Sequence, residues 1–449
     1  MNRDPGRVPG SGFPIATSVR DALYDRISLA SPEVALISTP AFLRLDRIQQ
    51  LGFVSRVWPG AKHTRYEHSL GVLHLTRLAV EHLRGTAEGQ AVADEDARVA
   101  IAAALLHDIG HYPFSHAIEE LGPPVLPHEV VGRGLIESAE IGSILRNDWD
   151  VDPQRVAAIV DPTWRELLPV DRLLRGVLSG ALDMDKLDYL PRDARACNVP
   201  YGGVDTGRLI DALTVIDQTG EAEPSEPRVG IGEKGISPLH SLINARQEMF
   251  DNVYWHHTNR ACMAMLLRAV QEAILHGAVS ATELTGHDDA SLLVLLASPA
   301  MPETTRHLTS ALVQRRIHKR AVEISAKAFE LYARLGNLYF DPVARRAVEI
   351  QLDEGLAAMT GQMVEPGAIL IDIPKPERWR TDVWVRFERP PAGFRRVMPW
   401  REVVGFDDND FKRYEEHRRL IRIVVAAPYR EVVAAAWEGL VVPLIGGMV

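Results

Sequence analysis

Hydrophobic residues recur at three- and four-residue intervals along most of the chain as far as Leu335, which predicts helices. The densest run is Ala102 to His116, AAALLHDIGHYPFSH. A helix predicted over Asp94 to Ile109 delivers the adjacent pair His107–Asp108, Gly110 is expected to stop it, and Pro113 blocks a restart. Upstream, Ser38-Thr39-Pro40 reads as a helix start, and FLRLDRIQQLG is amphipathic as far as Gly52. Pro59-Gly60 marks a turn, and from Glu67 onward Leu70, Leu73, Leu75, Leu78 and Val80 give a helix with a broad apolar face. Downstream, a helix opens at His128, Val151 to Arg175 is helical with interruptions at Pro153 and Pro162, and Ser179 to Asp205 is a densely charged helix. Thr214 to Gly235 reads as a hairpin or loop. Ile236 to His276 reads as one long helix, and Asp288 to Leu335 as mostly helical with Arg315, Arg316, Lys319 and Arg320 on a solvated face.

From Pro342 the pattern changes. A helix, Ala344 to Met359, is followed by the strand-like segments AILIDIP, TDVWVRFE and LIRIVVAA, a charged stretch from Phe406 to Arg419, and a last helix from Tyr429 to Leu440. The expected fold is mainly α: an all-helical core with a smaller C-terminal α+β unit. The expected divisions are a disordered leader at 1–17, a helical domain at 18–340 and the α+β unit at 341–449.

Composition narrows the functional classes. A net charge of -10 argues against a surface that coats nucleic acid, so no nucleic-acid partner is expected. The two cysteines, Cys197 and Cys262, form no CxxC pair, which disfavours a thiolate zinc site or a disulfide scaffold. No run of eighteen apolar residues suggests a membrane span, and the N-terminus lacks an apolar signal core, so a cytoplasmic location is expected.

The candidate chemistry lies in three segments. A buried His–Asp pair is costly unless paired or ligating, so His107–Asp108 at a rigid helix end reads as part of a divalent metal site. His111 and His116 follow in the irregular segment. Asp183, Asp185, Asp188 and Asp193 share a helix with Lys186 and Arg192 and straddle Leu187 and Leu190, so one charged face turns inward or into a cleft. The His256–His257 pair with Arg260 faces a pocket or forms an exposed polar cap; the sequence supports both.

The ordered set His68, His107–Asp108 and Asp185 resembles the H…HD…D signature of the HD phosphohydrolase superfamily. The longer blocks QQLGFVSRVWPGAKHTRYEHSLGV, LLHDIGHYPFSHAIE and LDMDKLDYLPRDA resemble its deoxynucleoside triphosphate (dNTP) triphosphohydrolase branch. That branch includes bacterial enzymes and a vertebrate sterile-alpha-motif/HD protein. The resemblance implies that His68, His107, Asp108 and Asp185 hold one divalent ion per subunit, of Mn, Fe, Zn, Ni or Mg. It implies that His111 and His116 face the α-phosphate, with His116 as general acid and His128 in support. Glu119 stands where the family more often has Asp. By the same resemblance Arg65 and Lys186 bind phosphates, Tyr189, Asp193 and Gln50 contact the sugar, and Leu51 packs where a 2′-hydroxyl would point. His256, His257 and Arg260 are further candidate substrate contacts on the reading that they face a pocket.

The implied reaction is hydrolysis of a dNTP to deoxynucleoside and tripolyphosphate by a homo-oligomer, a dimer or tetramer. Two alternatives stay open: an HD phosphohydrolase for another nucleotide or phosphate ester, and a non-catalytic nucleotide sensor. The apolar tail GLVVPLIGGMV fits an assembly contact or a segment folded back on its own domain. One family property is not expected. Some relatives carry an activating guanine-nucleotide site read by an Asp, a Gln and an Arg; the corresponding positions here are Ser38, Leu43 and Asp46.

Overall fold

The computed structural model describes residues 6–86, 89, 92–216, 227–375, 382–407 and 418–446, with 441–446 as backbone only. Much of the expected charged stretch at 406–419 and the side chains of the apolar tail from 441 onward lie outside the described residues. The chain is mainly helical, with a C-terminal α+β region.

The centre is a helix with no solvent face beyond its first turn. Along Asp94–Leu106, Ala97 and every residue from Val99 to Leu106 are buried. Ala100, Ala102, Ala103 and Ala104 leave room for close neighbours, and the helices Arg65–Arg84, Pro153–Val160 and Pro169–Leu178 pack around it. The charged helix Met184–Cys197 lies along Arg65–Arg84. These contacts bring the starts of Arg65–Arg84 and Met184–Cys197 to the end of Asp94–Leu106, which is where the candidate ligands sit.

Several expectations need correction. Residues 6–17, expected as leader, are folded: Val8 is 2% exposed, and strand β1 (Ile15–Asp21) pairs antiparallel with β2 (Asp25–Ala30). The central helix ends at Leu106, with His107 as its C-cap, so Gly110 does not stop it. Gly110 is needed for close approach, because a Cβ there would collide with the His128 carbonyl and the Gly132 amide. The helix expected from Ile236 to His276 is broken: Ile236–Met249 passes into a wide turn at Phe250–Tyr254, and a new helix runs His257–Leu275. Lys319–Ile324 is a strand, β5, because its backbone pairs with β9 (Ile421–Val425).

Strand pairing crosses residue 340 in both directions. β5 and β6 (Ile369–Asp372) flank β9 in an antiparallel sheet covered by the helices Pro342–Thr360 and Arg430–Gly446. β3 (Leu213–Ile216) and β4 (Arg228–Gly232), in the segment expected as a hairpin or loop, pair antiparallel, and β4 then pairs in parallel with β7 (Trp384–Arg386). β7 pairs with β8 (Val397–Pro399), and Val385, Met398 and Trp400 are buried in the core of the N-terminal helices.

Candidate metal centre and adjoining cavity

His68 lies in the first turn of Arg65–Arg84, His107 and Asp108 follow the central helix, and Asp185 lies in the first turn of Met184–Cys197. Their donor atoms converge. His68 Nε2 is 3.0 Å from Asp185 Oδ1, 3.3 Å from His107 Nε2 and 3.7 Å from Asp108 Oδ2. His107 Nε2 is 3.4 Å from Asp108 Oδ1 and 4.0 Å from Asp185 Oδ1. Donors that share one ion at about 2.1 Å lie about 3–4 Å from one another, so His68, His107 and Asp185, whose donor atoms lie within 4.8 Å of one another, fit a single divalent cation, with Asp108 beside them and its oxygens also held by Arg65 and His111.

The hydrogen bonds behind the ligands fix which ring nitrogen faces inward. His107 Nδ1 donates to the Ala104 carbonyl at 2.8 Å. His68 Nδ1 donates to Asp188 Oδ2 at 2.8 Å. Both Nε2 atoms are thereby left as acceptors facing each other beside two carboxylates, an arrangement that calls for a positive charge. Charge in the protein alone says the same. Burial pushes the His68 imidazole down, but hydrogen bonds to Asp185 and Asp188 and the nearby Asp108 outweigh it and lift its pKa to about 10. Burial raises the Asp185 carboxyl, but His68, His107 and Lys186 pull it to about 2. Burial raises Asp108 too, and Arg65, His107 and His111 more than reverse this, holding it well below the usual carboxylate range.

Asp188 supports the candidate ligand His68, and the sequence reading left it inside a charged cluster. Its two oxygens accept from Arg192 Nε and Nη2 at 2.8 and 2.9 Å, and Oδ1 also accepts from the Tyr24 hydroxyl at 2.8 Å. Asp21 holds the far side of Arg192 at 2.9 Å. A Cβ at Gly71 would collide with Asp188 Oδ1, so the glycine three residues after His68 makes room for this support. Asp188 lies three residues after Asp185, on the same helix face, which is the signal that could have found it.

Beyond the quartet lies a second group. His111 is fully buried, stacked on His128 at 3.7 Å between ring centroids, with its Nε2 3.2 Å from Asp108 Oδ1. Burial, Arg65 and His128 hold its pKa well below the ordinary value. Glu119 reaches two rings, with Oε1 2.7 Å from His128 Nδ1 and Oε2 3.1 Å from His116 Nδ1. Burial raises the Glu119 carboxyl, but His128 and His116 outweigh it and keep it well below its usual range. Burial lowers His128, and Glu119 more than compensates, so its pKa is raised. The donor atoms of His111, His116, Glu119 and His128 also lie within 4.8 Å of one another. Glu119 occupies the Nδ1 atoms of both outer rings, which reads as a proton-handling group beside the quartet.

The His116 ring is largely exposed, and it opens on a cavity of about 380 Å³. Gln50, Leu51, Arg65, Lys186, Tyr189 and Asp193 all line it, together with Glu119 and Asp185. Arg65 spends its guanidinium on Asp108 and on the Ser115 hydroxyl. Lys186 Nζ reaches Asp183 Oδ2 at 2.6 Å and the Gly180 carbonyl at 2.9 Å. Asp193 accepts from His63 Nε2 and from the Tyr254 hydroxyl, both at 2.7 Å. The wide turn at Phe250–Tyr254 carries Tyr254 there, and His63 and Tyr254 are further residues the sequence reading missed. His256 and His257 are not among the described residues that line the cavity. Their rings pack on each other at 4.3 Å, and His256 meets Trp58. Arg260 lines the cavity, but Glu120, Asp372 and the Ile373 carbonyl bind its guanidinium. It joins the α+β region to the site, and its donors are not directed at a ligand.

Residues 65–162 match the HD domain and residues 204–387 match the HD associated region. An uncharacterized protein from Methanocaldococcus jannaschii is 32% identical over 278 residues, 62% of this chain and 54% of that protein. The human deoxynucleoside triphosphate triphosphohydrolase is 27% identical over 282 residues, 57% of this chain and 44% of that protein. The crystal structure of a hypothetical protein from Aquifex aeolicus aligns with a TM-score of 0.70 at 24% identity, covering 94% of this chain and 99% of that one, which shows a shared fold. The chain spans about half the length of the curated relatives it matches. Among the described residues, no helix is long and apolar enough to cross a membrane.

Proposed function

From the premise that this chain is an HD-domain protein with an HD-associated region, we propose that it is a metal-dependent phosphohydrolase that cleaves dNTPs to deoxynucleoside and tripolyphosphate. The observation that carries the reading is the convergence of His68, His107, Asp108 and Asp185 beside a cavity whose wall presents His116. When bound, a divalent ion supplies Lewis acidity to a phosphoryl oxygen and an attacking water. The chain's own residues do the rest. His68 and His107 are locked in the tautomer that ligates, by Asp188 and the Ala104 carbonyl. Arg65 and Lys186 line the cavity beside the candidate ligands, and each would share its present carboxylate partner, Asp108 or Asp183, with a phosphate. His116 Nε2, on the ring face away from Glu119, donates a proton to the departing 5′-oxygen, and Glu119 stabilises the protonated ring.

The sugar side is framed by Asp193, whose carboxylate is fixed by His63 and Tyr254 to accept from a 3′-hydroxyl, with Leu51 and Tyr189 beside it. A cavity of about 380 Å³ falls within the range of about 300–1,000 Å³ usual for small-molecule sites. The wall pairs basic phosphate-facing groups with aromatic and amide side chains, which favours a nucleotide over a simple phosphate ester. The family resemblance further supports a homo-oligomer. The test is a screen of purified protein against the four dNTPs and the four NTPs with Mn, Fe, Zn, Ni and Mg. Turnover of dNTPs over NTPs supports the reading, and turnover of NTPs or neither class overturns it.

A further inference from the structure

We propose that Asp289 is a positioning residue that aims His116 into the cavity. This rests on the reading of His116 as the general acid.

The segment before His116 has an unusual backbone. Phe114 and Ser115 have φ of 58° and 60°, in the left-handed region, and neither is glycine. Residues with a Cβ rarely adopt that conformation, and two in succession persist only where the surroundings hold them. The reversal turns the chain so that His116 emerges at the cavity wall.

Asp289 helps to hold it. It is buried, its Oδ1 accepts the Phe114 N–H at 2.6 Å, and its Oδ2 accepts the Gln49 N–H at 3.0 Å. One carboxylate therefore joins the strand of chain leading into Gln50 and Leu51 to the one leading into His116. The Ser115 hydroxyl closes the same junction, donating to the Gln49 carbonyl at 2.9 Å and accepting from Arg65 Nε at 2.9 Å. Phe114 stacks on Phe53 with centroids 4.4 Å apart.

The neighbours of Asp289 are pinned to the same two segments. Arg44 donates to the His287 carbonyl at 3.0 Å and to the His111 carbonyl at 2.8 Å, and Arg47 pairs with Asp288 at 2.7 Å. Capping does not account for Asp289, because Asp288 caps this helix by accepting from the Ser291 N–H at 2.8 Å. A buried carboxylate with no sequence-local partner, spent on two backbone N–H groups from separate walls of one cavity, is placed to set the geometry of that cavity.

The experiment is a double-mutant cycle on the metal-loaded protein with a dNTP substrate, using Asp289→Asn, His116→Ala and the pair together. Asparagine keeps the shape but offers one acceptor where the carboxylate offered two. Asp289→Asn should lower kcat about 10- to 100-fold, the scale of a misplaced catalytic group, with KM changed less than about threefold. In the His116→Ala background the same change should cost less than about twofold, because the group it aims is already gone. Asp289→Glu keeps both acceptors on a longer arm, and serves if Asp289→Asn does not fold; its loss of kcat should vanish in the same background. An effect of either variant that multiplies undiminished in the His116→Ala background overturns the proposal, as does an unchanged kcat. An unchanged kcat in His116→Ala alone would overturn the general-acid reading instead.

Discussion

His68 Nδ1 lies 2.8 Å from Asp188 Oδ2, and that bond leaves the opposite nitrogen of the ring as an acceptor toward Asp185 and His107. Asp188 never reaches the ion position, yet it decides the tautomer of a ligand. Replacing Asp188 by Asn removes the charge that fixes the tautomer and leaves Arg192 short of a partner. Metal affinity, measured by competition with a chelator, should fall about 10- to 100-fold. Gly71→Ala should act in the same direction without touching a donor, since its methyl displaces the Asp188 carboxylate. Unaltered affinity in both variants, with unaltered helical circular dichroism, would separate Asp188 from the metal centre.

The α+β region carries a pH-sensitive contribution to stability. His318 is buried, with Nε2 donating to the Gly367 carbonyl at 2.8 Å. Burial outweighs that bond and lowers the imidazole from 6.5 to about 4. Between those values the unfolded chain binds the proton and the folded chain does not, so stability falls as pH drops from 6.5 toward 4. His318→Gln removes this titration. Its Tm should therefore decline less than that of the wild type over the same interval, by differential scanning calorimetry; parallel declines would contradict the assignment.

Guanine nucleotides should not activate this protein through the site known in some relatives. Leu43 is 44% exposed and offers a base no hydrogen bond, and the Ser38 hydroxyl donates to its own helix at the Val34 carbonyl. Asp46 would repel a nearby phosphate. Each missing partner of a buried base edge costs about 1–3 kcal/mol. Asp21 and Tyr24, upstream of these positions, are committed to Arg192 and Asp188. Hydrolysis of dATP or dTTP should be the same with and without GTP. Saturable stimulation by GTP, absent with ATP, would refute this.

The His107–Asp108 pair was legible because its chemistry is local: two such groups ending a run of Ala and Leu call for a partner or a ligand, whereas His68 and Asp185, each at a helix start, joined it only through the family resemblance. What escaped the sequence was long-range. Asp289 looks like a second acid at a helix start, and nothing in its neighbourhood announces an acceptor for the amides of Gln49 and Phe114. Helical periodicity runs smoothly through Ile236 to His276 and hides the wide turn that carries Tyr254 to Asp193. Lys319–Ile324 is too short and too charged to show a strand period, and only pairing with β9 makes it one. Gly110 was read through its local role, whereas the collision it avoids is with the distant His128–Ile136 helix.

The central claim is that the quartet and His116 act together at the α-phosphorus of a dNTP. The direct measurement is chromatography of the products formed from a dNTP by the metal-loaded protein, with Asp185→Ala alongside. Wild type should release deoxynucleoside and tripolyphosphate in equal amounts, and Asp185→Ala, which lacks a ligand 3.0 Å from His68 Nε2, should bind less metal and release neither. Orthophosphate or pyrophosphate as the first product, or full activity in metal-stripped Asp185→Ala protein, would contradict the account.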